Sequence, residues 1–190
     1  MLNGQQGDST RMTWRRQSTE LVHRGPFLAV HRDVVRRPDG TEGVYEHVSV
    51  SDGVRVVALD TAGRTVLVED TFYLQGRRML HVPGGGTEGE DPCRAALREL
   101  QEETGLAAGR LDPLGVIDPL PGTTRARTHL MLATDLQPGR MRRDATEAGM
   151  TVQWRPLHDA VAAVRAGEIT EAGSMAALLL AALTPGRRQL

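Results

Sequence analysis

The sequence predicts an α+β domain in which a mixed sheet is layered with helices. Three observations predict it. Apolar runs of strand length come in pairs around turn residues, one fully marked helix sits mid-chain, and two apolar helical stretches close the chain.

In chain order, residues 1 to about 20 are polar and punctuated by Gly, Ser and Thr, and read as a flexible tail. Phe27 to Val35 and Val44 to Val50 flank Pro38-Asp39-Gly40, a turn signal that predicts an antiparallel hairpin. Val54 to Leu59 and Thr65 to Glu69 flank Asp60-Thr61-Ala62-Gly63 and read as a second hairpin. After Pro83-Gly84-Gly85-Gly86, Asp91 is placed to cap a helix that begins with Pro92 and ends at Gly105. Leu114 to Ile117, Thr128 to Ala133 and Thr151 to Trp154 read as further strands. Leu157 to Ala166 and about Thr170 to Leu183 read as helices. One domain over residues 21–184 is expected, with a short tail at 185–190.

Composition narrows the chemistry. All 23 basic residues are arginine, so no P-loop lysine, Schiff base or lysine general base is available. Phosphate recognition must use guanidinium groups, backbone N–H groups or a metal. Cys93 is the sole cysteine, which excludes an intramolecular disulfide or a Cys-rich zinc site. A net charge of −1 and 3% aromatic residues argue against a dedicated nucleic-acid binder. The longest apolar run, Met175 to Leu183, is far short of the ~20 residues that span a bilayer. The polar N-terminus lacks the apolar core of a signal peptide, so a cytoplasmic protein is expected.

The informative segment is Glu90 to Gly105. On a helix, Cys93, Ala96, Leu97 and Leu100 form an apolar stripe, with Glu99 and Glu103 in line beside it and Arg94 and Arg98 on the far side. Like charges four apart cost roughly 0.2–0.5 kcal/mol, and acids in a last helical turn oppose the macrodipole. A hard divalent cation would compensate; so would a solvated face partly neutralised by Arg98, and spacing alone leaves both readings open.

Gly84, five residues, Glu90, seven residues, then Arg98-Glu99-Leu100-Gln101-Glu102-Glu103-Thr104-Gly105-Leu106 matches the Nudix box at each of its constrained positions. The chain therefore resembles the Nudix hydrolases. Asp33-Val34-Val35, Pro38-Asp39-Gly40, the run Gly53 to Asp60, Pro121 fifteen residues past the box and the terminal apolar helix are similar to the branch that hydrolyses ADP-ribose and other nucleoside diphosphate sugars.

The resemblance implies an α/β/α sandwich with a mixed central sheet and an N-terminal antiparallel hairpin region. It also implies a Mg²⁺- or Mn²⁺-dependent pyrophosphatase that releases a nucleoside monophosphate and a sugar phosphate. Glu99 and Glu103 would be the principal metal ligands, assisted by Glu102 and a carbonyl of Gly84 or Gly85. Glu90 and Arg98 would brace the loop and helix, with Gly84 and Gly105 shaping their ends. The loop acid acting as base would be Glu147, with Asp144 as the other candidate. Arg77, Arg78, Phe72 and Pro121 are the substrate-contact candidates, and a homodimer is expected. Asp70-Thr71-Phe72-Tyr73 lacks the branch's usual arginine, and His81-Val82-Pro83 replaces its Glu-Leu-Pro. Other nucleoside diphosphate-linked substrates, nucleoside triphosphates and dinucleotides therefore stay open. A sensor that binds without hydrolysing is the alternative from another class; such domains typically lose box carboxylates, and all are present here.

Overall fold

In a computed structural model, residues 13–139 and 149–184 are described. Residue contacts group the chain into two compact units, whereas the sequence reading drew one domain over 21–184; each unit is described by itself.

The first unit covers, of the described residues, 13–50 and 120–125. Its sheet has the order β1-β2-β3, from β1 (Arg15–Arg24), β2 (Ala29–Arg36) and β3 (Glu42–Ser49), all antiparallel. The expected hairpin is β2 and β3. Its turn is fixed by the Asp39 carboxylate, which accepts from the Thr41 N–H (2.9 Å), and by Gly40 at φ 85°. One correction concerns the tail: residues 15–20, read as flexible, lie in β1. That strand was missed because all ten of its residues are exposed, which leaves no alternation to read. The segment 120–125 joins this sheet where the Val48 N–H donates to the Thr123 carbonyl (2.9 Å).

The second unit covers, of the described residues, 51–119, 126–139 and 149–184. In one sheet β4 (Gly53–Ala58) runs parallel to β8 (Thr128–Pro138), which pairs antiparallel with β7 (Leu106–Ile117). The other sheet, β6-β5-β9, is antiparallel and consists of β6 (Arg77–His81), β5 (Arg64–Phe72) and β9 (Thr151–Pro156). The expected second hairpin is a further correction. β4 and β5 share one isolated bridge, Leu59 to Thr65, and belong to different sheets. Short buried runs carry no record of a parallel partner far along the chain.

Alternation along β4 builds two cores. Val54, Val56 and Ala58 pack with Ala95, Ala96 and Leu100 of α1 (Pro92–Thr104). Val57 and Leu59 pack with Ala160 and Val164 of α2 (Leu157–Arg165) and Leu178 of α3 (Ala172–Leu183). The mixed sheet thus lies between helices, as the fold expectation had it. None of the helices among the described residues is long and apolar enough to cross a membrane.

Candidate active site

The helix α1 begins and ends where its caps dictate. Asp91 accepts from the Cys93 N–H (3.0 Å) and Arg94 N–H (3.3 Å), Pro92 occupies the first turn, and Gly105 closes it at φ 73°. This fixes the helix rotation so that Glu99 and Glu103 are buried against the glycine turn.

Arg98 organises the carboxylates. Its Nη1 donates to Glu99 Oε1 (2.9 Å) and Glu102 Oε2 (3.0 Å), its Nε to Glu90 Oε2 (3.2 Å), and its Nη2 to the Gly86 carbonyl (3.0 Å). Burial alone would lower the guanidinium's pKa, but hydrogen bonds to Glu102 and Glu90 and the charge of Glu99 outweigh it and raise it. One cation therefore serves three acids across the loop and helix.

The turn fits around these acids. The Gly84 N–H donates to Glu103 Oε2 (3.0 Å). A Cβ on Gly85 would stand 2.5 Å from Glu99 Oε1, so the backbone there approaches the carboxylate as closely as glycine permits. The Gly85 carbonyl accepts from the Val54 N–H (2.9 Å) and the Gly86 carbonyl from Arg98, whereas the Gly84 carbonyl has no hydrogen-bond partner among the described residues. Among those residues no three His, Cys, Asp or Glu side chains converge as a finished metal cage. Arg98 lies between Glu99 and Glu102 and pairs with both.

The other candidates are dispersed. Arg78 is committed to the protein: it donates to Glu69 Oε2 (3.1 Å) and the Glu69 carbonyl (2.9 Å), and to the Gly149 carbonyl and Thr151 Oγ1 (each 3.1 Å). Arg77 donates to Thr170 Oγ1 (2.9 Å). Phe72 sets its ring edge-on to His81, with centroids 5.3 Å apart. Pro121 belongs to the first unit, where it lines a cavity of about 140 Å³ with Asp33, Tyr45, His47 and Arg125. Glu147 and Asp144 lie outside the described residues.

Sequence reasoning missed the acid and base of a second, partly buried group: Arg55 Nε donates to Glu171 Oε2 (3.0 Å), and Ser174 Oγ donates to the same oxygen (2.7 Å). The available signal was Glu171-Ala172-Gly173-Ser174, in which Glu171 caps α3. Burial alone would raise the Glu171 pKa; the charge of Arg55 and bonds from Ser174 bring it down to about 2.

His81, an open question in the sequence, is buried at the end of β6. Its Nδ1 is 3.0 Å from the Val82 carbonyl, and its Nε2 has no hydrogen-bond partner among the described residues. Burial is the first cause that holds its pKa below the ordinary histidine value, and Arg55 acts in the same direction, against the Val82 carbonyl, Glu171 and Asp70. The neutral ring is thus the folded form. Its contribution to stability is complete above about pH 6.5, the unfolded value, and is lost as pH falls from there through the depressed folded value. Thermal unfolding between pH 7.5 and 5 is expected to show a smaller fall in Tm for His81→Phe than for the parent, and equal falls would contradict this.

Comparison with known proteins adds to this geometry. The NUDIX domain model matches residues 50–177, and the model of the nucleoside diphosphate sugar hydrolase N-terminal domain matches residues 14–48. The chain is similar to an ADP-ribose pyrophosphatase of Mycobacterium tuberculosis, 36% identical over 90% of this chain and 85% of that protein. It is also similar to a CMP-5'-(N-acetyl-N-hydroxy-3-aminopropyl)phosphonate hydrolase of Streptomyces rubellomurinus, 29% identical over 94% of this chain and 86% of the other. A crystal structure of an ADP compounds hydrolase superposes with a TM-score of 0.79, at 21% identity over 92% of this chain and 95% of that one, a likeness of fold.

Proposed function

The chain belongs to the Nudix family, and on that premise we propose that it hydrolyses the pyrophosphate bond of a nucleoside diphosphate sugar such as ADP-ribose, giving AMP and ribose 5-phosphate. The observation that carries this reading is the intact set of Glu99 and Glu102, held by Arg98, and Glu103, held by the Gly84 N–H, in a chain 36% identical to an ADP-ribose pyrophosphatase.

The donor chemistry fits a hard divalent cation: carboxylates on one helical turn face a glycine backbone with no room for a side chain. Glu99, Glu103 and the Gly84 carbonyl would hold Mg²⁺ or Mn²⁺, with Glu102 assisting. The ion would supply positive charge for the phosphoryl oxygens and for a nucleophilic water. Arg98 orients Glu99 and Glu102 through its hydrogen bonds, and Glu90 in turn holds Arg98. Glu147 takes the proton from the attacking water. Glu147→Gln is expected to lower kcat about a hundredfold, the usual order for a lost general base, and Asp144→Asn to lower it little. The reverse pattern would move the role to Asp144.

A homodimer is supported by the first unit, whose β1, among the described residues, pairs with β2 alone and is exposed along its length. A monomer in size-exclusion chromatography with light scattering would sink it. The cytoplasm is the proposed compartment.

The phosphonate named for the Streptomyces relative supports a second reading, in which the group beyond the nucleotide is not a sugar phosphate. One panel separates the two: ADP-ribose, other nucleotide sugars, NADH, dinucleoside polyphosphates and nucleoside triphosphates, each with Mg²⁺ and with Mn²⁺. ADP-ribose as the best substrate supports the first reading; a higher kcat/KM for any non-sugar compound overturns it.

A further inference from the structure

We propose that Ser174, Glu171 and Arg55 form a positioning network that fixes the backbone from Val82 to Gly85 against Glu103, and so sets the metal-binding geometry of the box from outside it. The inference rests on the proposed function for its metal.

Four peptides lead into the box, and each is held. The Val82 N–H donates to Ser174 Oγ (3.1 Å), the Pro83 carbonyl accepts from the Val56 N–H (2.8 Å), the Gly84 N–H donates to Glu103 Oε2 (3.0 Å), and the Gly85 carbonyl accepts from the Val54 N–H (2.9 Å). The first hold comes from a helix 92 residues along the chain. Ser174 is oriented for it, because its own proton goes to Glu171 Oε2 (2.7 Å) and leaves an oxygen lone pair for Val82. Glu171 Oε2 also accepts from the Ser174 N–H (2.6 Å) and Arg55 Nε (3.0 Å), and Oε1 accepts from the Gly173 N–H (3.1 Å).

Arg55 acts on the strand to which the loop is bonded. Its Nη1 donates to the Val54 carbonyl (2.9 Å), the atom that would meet any side chain placed on Gly84. The network therefore holds the Val82 peptide from α3 and the Val54 peptide from β4, with Gly84 between them.

Arg55 and Glu171 are partly buried, with side-chain exposures of 16% and 20%. What a satisfied polar network adds is a single geometry, here one that meets Glu103.

The test is Ser174→Ala, read by Mn²⁺ titration with electron paramagnetic resonance, by kcat and KM for ADP-ribose, and by Tm. Loss of an orienting group typically costs about 10–100-fold in metal affinity or activity. Mn²⁺ affinity and kcat are expected to fall about tenfold, with KM within about twofold of the parent. If Ser174→Ala does not fold, Glu171→Gln, which keeps the cap's shape and removes its charge, is expected to show the same direction of change. Unchanged Mn²⁺ affinity and kcat, with or without a lower Tm, overturn the proposal. Because Mn²⁺ binding is read without substrate, a wrong substrate assignment leaves that measurement intact. A parent protein that binds no Mn²⁺ overturns the proposed function and the network's role with it.

Discussion

Glu103→Gln is expected to lower kcat about a thousandfold, equivalent to about 4 kcal/mol of transition-state stabilisation. Glu103 is buried, and its Oε2 accepts from the Gly84 N–H (3.0 Å), a bond that a glutamine carbonyl oxygen at the same place still makes. The substitution therefore keeps volume and one hydrogen bond while it removes the negative charge. The fold should survive, with far-ultraviolet circular dichroism unchanged, so the loss reports on metal binding rather than on folding. Glu102→Gln makes the contrast. That side chain is more exposed than Glu103 and is bonded to Arg98, which keeps Glu99 and Glu90 as partners, so about a tenfold loss is expected. Glu103→Gln within threefold of the parent, or turnover that persists after chelation of divalent ions, would refute the metal assignment.

The parts of this site that the sequence made legible are those encoded locally. Asp91, Pro92 and Gly105 delimit α1 because each acts on its own turn of backbone, and the box residues follow from that helix at fixed spacing. A helical projection placed Arg98 on the far side of α1, yet its long side chain reaches back to the Gly86 carbonyl, which is how a residue off the apolar stripe comes to brace the carboxylates. What the sequence hid is nonlocal. The parallel pairing of β4 with β8 joins Gly53 to Thr128. Arg55 meets Glu171 across 116 residues, with no period or motif to link them. Arg78 was a substrate candidate because it lies close to Asp70-Thr71-Phe72-Tyr73, where the usual arginine is missing; its bonds to Glu69, Gly149 and Thr151 are tertiary contacts that the sequence does not show.

The glycine turn separates strain from chemistry, and Gly84→Ala is expected to give the largest loss of stability. Gly84 has φ 150°, a conformation that side chains rarely adopt, and a Cβ there would overlap the Val54 carbonyl oxygen. That oxygen is backbone in the centre of the unit and is fixed by Arg55, so it cannot yield as a flexible side chain would. A destabilisation of about 3 kcal/mol follows, from strain of 1–3 kcal/mol together with the overlap, and lowers Tm by about 10 °C in a chain of this size. Gly85→Ala meets a different obstacle, the Glu99 carboxylate at 2.5 Å, which can rotate away. Its stability should fall less while Mn²⁺ affinity falls sharply, because the displaced group is a proposed ligand. Gly86→Ala is the control, since the nearest atoms to its Cβ lie 4.0 Å away, and it should change neither. Thermal unfolding and Mn²⁺ titration across the three variants distinguish the roles. If Gly84→Ala proves as stable as Gly86→Ala, the close packing of the turn against Val54 is not what fixes the box loop.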